Sequence, residues 1–128
     1  MTGGSPYAIL LLPYKGGELH CVHLDGYLED RGAFDARLSE ITAYFHKKPE
    51  NARFRIWLNL YGSVLSESAA DAVIASLLMY REKIVRISLI GLGRRKRDFE
   101  KKLQSALGGM SLSRSYFEDA EKAKDFLL

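Results

Sequence analysis

The sequence holds a single cysteine, Cys21. No disulfide can close within the chain, which points to a reducing, cytoplasmic setting. A lone thiol of this kind is expected to behave as a small buried hydrophobe on a strand. Long apolar runs are also missing. The longest covers residues 8–12, far short of the roughly 18 residues that cross a bilayer. It has neither a basic flank nor a small-residue cleavage site, so it does not read as a signal peptide. Low-complexity segments, internal repeats and linkers are absent from the sequence too. The 128 residues, 47% hydrophobic and 27% charged, therefore suit one globular domain. Residues 1–6 form a polar, glycine-containing start, expected to be frayed, and 7–128 form the domain.

Several chemistries lack their motif. Gly91-x-Gly93 is not a dinucleotide fingerprint, because position 96, where the third glycine would fall, is Lys96. No phosphate-binding G-x-x-x-x-G-K-[ST] loop occurs, which removes nucleotide hydrolysis. His20 and His23 are three apart on a strand and point to opposite faces, so they cannot converge on one metal ion. Ser66 and Ser68 lie at a turn, but no G-x-S-x-G elbow accompanies them. We therefore expect no metal, no cofactor and no enzymatic activity. A hydrolase using Ser66 or Ser68 is the alternative from that class.

What is present is an alternation of strand and helix patterns. Residues 7–14 read as a strand, with Pro13 suggesting a sheet edge or bulge. Lys15-Gly16-Gly17 is a tight turn, and 18–28 return as the second strand. A helix over 30–47 carries Phe34, Leu38, Ile41 and Phe45 on one face and stops before Pro49. The third strand, 53–61, sets Phe54, Ile56, Leu58 and Leu60 on one face and Trp57 on the other. Ser66 is a fitting N-cap and Glu67 a fitting first-turn acid for a second helix, whose apolar stripe is Ala69, Val73, Leu77 and Tyr80. Residues 84–92 are apolar on both faces, as in a central parallel strand. A third helix sets Phe99, Leu103, Ala106 and Leu107 inward and stops at Gly108-Gly109. Residues 111–117 form a polar edge strand. A closing helix over 120–128 is anchored by Ala123, Phe126 and Leu127. The order β-β-α-β-α-β-α-β-α predicts an α/β fold, mostly parallel, with an N-terminal antiparallel hairpin.

Two segments resemble a known family. Leu24-Asp25-Gly26-Tyr27-Leu28 is similar to the "leucine, any, glycine, any, leucine" entrance to the first helix of STAS domains, the sulfate-transporter and anti-sigma-factor-antagonist fold. The run from Leu58-Asn59-Leu60-Tyr61-Gly62-Ser63 through Ser66-Glu67-Ser68-Ala69-Ala70 tracks that family's strand-loop-helix segment. Ile87-Ser88-Leu89-Ile90-Gly91 matches the strand that follows. The resemblance implies a regulatory, protein-binding domain of bacterial signalling. The chain departs from the family at Asn59, Glu67 and Ala70. It departs also at Ala69, where regulatory members carry the phosphoaccepting hydroxyl. The resemblance thus implies a phosphoswitch that is absent or moved to Ser66 or Ser68, as in the branch of small bacterial STAS-like proteins without one.

The net charge is +3, but residues 94–102 alone carry six basic against two acidic side chains, +4, leaving −1 for the rest. Helix starts past parallel strands bind anions and partners. The candidate recognition surface is therefore Gly62, Ser63, Ser66, Glu67 and Ser68, joined by Gly93, Arg94, Arg95 and Arg97 from the next loop. Its partner is expected to be a protein, with an anionic ligand or membrane surface as alternatives. The basic run has no exposed aromatic within it, which argues against nucleic acid. The rival from another class is a small-ligand pocket, for a lipid or phosphorylated metabolite, lined by Phe34, Tyr44, Phe45 and Tyr80.

Overall fold

A computed structural model describes residues 9–63 and 65–128. The polar start and the first two residues of the expected first strand lie outside them. The chain forms β1 (Ile9–Tyr14), β2 (Gly17–His23), α1 (Arg31–His46), β3 (Phe54–Asn59), α2 (Glu67–Met79), β4 (Ile84–Ile90), α3 (Lys96–Leu107), β5 (Arg114–Phe117) and α4 (Ala120–Phe126). Short 3-10 turns precede β4 and α3. One five-stranded sheet runs in the order β1-β2-β3-β4-β5. β1 and β2 are antiparallel, and every later neighbour pair is parallel. The α/β reading of the sequence is the observed architecture. β1 and β5 are the edges, as Pro13 and the polar fifth strand suggested.

The elements follow from local chemistry. Lys15 and Gly16 both adopt positive φ, 48° and 84°, the geometry of a two-residue turn that matches strand twist. Tyr14 and Gly17 close the hairpin as a pair. Asp30 caps α1 by accepting the Ala33 N–H at 3.0 Å. At the other end of α1, the Lys83 ammonium donates to the carbonyls of Phe45, His46 and Lys48. A cation placed on three terminal carbonyls both bonds and neutralises the negative helix end.

Two apolar layers form on opposite faces of the sheet. The larger packs α1, α2 and α3 onto Val22, Ile56, Leu58, Ile87 and Leu89. The smaller packs Ala123 of α4 and Leu127, which follows it, onto Leu19, Cys21, Trp57 and Ile90. Cys21 is buried there as expected, and burial pushes its thiol pKa up. The indole N–H of Trp57 donates to Ala120 O at 3.0 Å, which ties α4 down. Arg55 and Arg86 donate to Leu127 O and Phe126 O, capping the other end of α4. No helix among the described residues is long and apolar enough to cross a membrane.

Two packing expectations change. Ala106 is exposed, because α3 buries only the single row Phe99, Leu103 and Leu107. Phe126 is half-buried, and Leu127 beneath it is the sealed anchor. Phe34, Phe45 and Tyr80 pack within the main core, with Phe45 and Tyr80 stacked at 4.9 Å. Phe45 and Tyr80 fill space rather than line a cavity, Tyr44 packs edge-on against Phe45, and Phe34 also borders a hollow beside Leu28 and Arg31.

His20 sits among these rings, 4.7 Å from Phe54 and 5.7 Å from Phe45. It is 8% exposed, and its Nδ1 has no partner among the described residues. Burial lowers its pKa; Lys48 lowers it further and Glu18 opposes the shift. A depressed imidazole pKa means the unfolded chain binds the proton more readily. The neutral ring then contributes stability that is complete above its ordinary value of 6.5 and is lost as pH falls through the folded value. Urea unfolding at pH 7 and pH 5 is expected to show this loss in the native protein, and a flatter dependence in His20→Leu.

Candidate functional site

The parallel register places the carboxyl ends of β2, β3, β4 and β5 along one edge of the sheet. Ladder-like bonds continue past the strands. Leu24 N–H donates to Asn59 O, Gly26 N–H to Tyr61 O at 2.7 Å and Leu28 N–H to Gly62 O at 2.8 Å. On the other side Leu60 N–H donates to Ile90 O, and Gly91 N–H to Phe117 O. The loops at residues 24–30, 60–66 and 91–95 are thus laid side by side.

Three strands end earlier than the sequence pattern suggests, and for local reasons. β2 stops at His23 instead of 28, because Gly26 and Leu28 turn to positive φ. β3 stops at Asn59 instead of 61, because the Asn59 side chain accepts the Tyr61 N–H in a local turn. β4 stops at Ile90 instead of 92, because Gly91 has φ 87°. At that position an added Cβ would lie 2.8 Å from Tyr61 N. Only glycine lets the 60–66 and 91–95 loops approach this closely.

The expected site residues separate into groups. Ser63 belongs to the frame: its Oγ donates to Leu24 O at 2.5 Å and accepts the Tyr27 N–H at 3.2 Å. Gly62, at φ 72°, lets the backbone of Gly26 approach. Ser66 caps α2 by accepting the Ala69 N–H at 3.2 Å. The Arg31 guanidinium donates to Ser68 Oγ at 2.6 Å, on the side away from the basic run. Ser63 and Ser68 therefore do not face residues 91–97, contrary to the single-crevice expectation. Among the described residues, neither Ser66 nor Ser68 is bonded to a histidine or carboxylate.

Ser66, Glu67 and Arg95 do come together. They line a cleft of about 420 Å³ between α2 and α3, walled by Leu65, Ala70 and Phe99. Lys102 bridges the two helices through Glu67 (3.2 Å) and Asp71 (2.9 Å), and these carboxylates raise its pKa. Ser66 also borders a second cleft, of about 310 Å³, with Leu28, Arg31 and Phe34. The start of α2 is a ridge between two hollows.

Sequence reasoning missed two residues on this edge. Leu28 is 67% exposed and holds φ 51°, a conformation costly for a bulky side chain. Tyr61 is 43% exposed; its hydroxyl donates to Glu118 O at 2.6 Å, while the Glu118 carboxylate accepts the Gly93 N–H at 3.0 Å. The strand-like pattern of residues 24–28 hid Leu28, since no apolar-polar pattern reports a positive φ.

The arginines differ sharply in what they touch. Arg94, Arg95 and Arg97 are exposed, and their guanidiniums have no partner among the described residues. Arginines elsewhere are engaged: Arg31 and Arg114 hold carboxylates, Arg53 and Arg81 hold carbonyls. Three arginines and Lys96 also sit at the start of α3, where the helix dipole disfavours cations.

His20 and His23 do take opposite faces: His20 lies in the main core, and His23 packs edge-on against Trp57 with Asp25 3.0 Å from its Nδ1. No cluster of three potential metal ligands occurs among the described residues. No family model, no curated protein and no solved structure matches the chain.

The two glycines of the β4–α3 loop should respond differently to alanine. Gly91→Ala meets Tyr61 backbone as well as an unfavourable φ, and is expected to lower urea-unfolding stability by about 3 kcal/mol. Gly93 also has positive φ but open space around it, so Gly93→Ala should cost about 1 kcal/mol. Equal losses would contradict the close approach at Gly91.

Proposed function

We propose that this chain is a STAS-like protein-interaction domain, non-enzymatic and regulatory in bacterial signalling, that recognises a protein partner through the carboxyl edge of its sheet. The observation that carries this reading is Leu28. A large apolar side chain is held outward in a strained backbone conformation by the Leu28–Gly62 bond, beside a capped helix start and two clefts. Strain of this kind is retained where a contact uses it. The resemblance of residues 24–28 and 58–70 to STAS segments supports the same surface. Ala69 removes the usual phosphoaccepting hydroxyl, so recognition here does not depend on modification at that position.

The edge supplies apolar anchors (Leu28 and Tyr61) ringed by charge, a combination suited to protein contacts. Unpaired guanidiniums at Arg94, Arg95 and Arg97 add donors for carboxylates.

Affinity capture followed by quantitative mass spectrometry, with Leu28→Asp, Ser66→Ala/Ser68→Ala, Arg94→Ala/Arg95→Ala and, as a distant control, Met79→Ala, tests this. Leu28→Asp and the arginine double variant are expected to reduce capture of a specific partner about tenfold, equivalent to about 1.4 kcal/mol. Capture that is insensitive to all the edge variants removes this surface from the account.

A further inference from the structure

Across the loops after β2, β3 and β4 the charge runs from acidic through neutral to basic, and the loop after β5 adds Glu118 and Asp119. The loop after β2 holds Asp25, Glu29 and Asp30, with Arg31 opening α1 and paired to Asp35. The loop after β3 is uncharged through residues 60–66. The loop after β4 and the first turn of α3 hold Arg94, Arg95, Lys96 and Arg97, with Asp98 next. Because the sheet order is β2-β3-β4, the acidic and basic loops flank the neutral one on either side. From this geometry we propose that the edge pairs with a second copy of the same chain. The pair forms about a twofold axis that passes through the 60–66 loop, normal to the sheet.

That axis reverses both strand direction and strand order. It therefore sets each copy's 24–30 loop against the 91–97 loop of the other, acid on base, twice. A twofold lying in the sheet plane would instead set like loops on like, and juxtaposed like charges disfavour it. The charge order thus selects one of the two ways in which these edges can meet, and the contact is isologous, as a closed dimer needs.

Asp25 contacts His23 and Asp30 caps α1, so Glu29 is the acid left unengaged for the contact. Glu29 is exposed, and its carboxylate has no partner among the described residues. The Arg94, Arg95 and Arg97 guanidiniums have none either. Between the charged loops lie Leu28 and Tyr61, both substantially exposed, which supply apolar area near the axis. Exposed ion pairs are individually weak and screened by salt. The dimer is therefore salt-sensitive.

The inference rests on reading this edge as a recognition surface and names one occupant for it. Sedimentation equilibrium of the full chain at low and high salt tests it, with circular dichroism to verify folding. The wild type is expected to dimerise at low salt and dissociate as salt rises. Asp25→Lys/Glu29→Lys and Arg94→Glu/Arg95→Glu should each weaken the dimer at least about tenfold. Mixing the two variants should recover a heterodimer, because both contacts then pair acid with base, one of them with its charges reversed. A wild type that stays monomeric overturns the proposal. So does a dimer indifferent to both reversals, which would point to the β1 edge with its exposed Leu10 and Leu11. Loss of self-pairing with partner capture intact removes the dimer and leaves the function proposed above standing. Self-pairing without edge-dependent capture does the reverse.

Discussion

The parallel ladder does not stop where the strands do. Bonds from Leu24, Gly26 and Leu28 to the β3 side, and from Leu60 and Gly91 toward β4 and β5, carry the pairing into the loops. Each loop is then a fixed object whose neighbours set its shape. This constraint explains why Gly91 must lack a Cβ, why Ser63 spends its hydroxyl across the β2–β3 junction, and why Leu28 is held outward. Loops tied in this way can present side chains with little entropy left to lose on binding.

The core below follows from simpler rules. Three helices close one face and α4 closes the other, so β3 and β4 are buried on both sides. Trp57 shows how the thinner layer is secured, since its indole both fills the space under α4 and bonds the start of that helix. His20, a polar group in the larger layer, has no such partner at Nδ1 among the described residues and makes that layer sensitive to acid.

Much of the fold was legible because periodicity reports burial. Phe34, Leu38, Ile41 and Phe45 gave α1 its face, and Ser66 declared the start of α2. The strand ends were not legible, because they depend on positive φ at Gly26, Leu28 and Gly91, and Leu28 carries no sign of it in its residue type. The site was half legible. Ser66, Glu67 and Arg95 do share a cleft, but Ser63 and Ser68 are claimed by partners 39 and 37 positions away in sequence, Leu24 and Arg31. Long-range hydrogen bonds leave no local pattern. The basic run was visible as composition; that its arginines are unengaged is a property of the fold.

The central claim is that the carboxyl edge is the surface through which this protein meets others. Backbone amide NMR spectra across a dilution and salt series address it most directly. The account predicts concentration-dependent shifts at residues 25–30, 61–66 and 93–97, fading together as salt rises. Shifts confined to the β1 edge, or to the groove that Leu38, Thr42, Ala72 and Met79 line between α1 and α2, would contradict it.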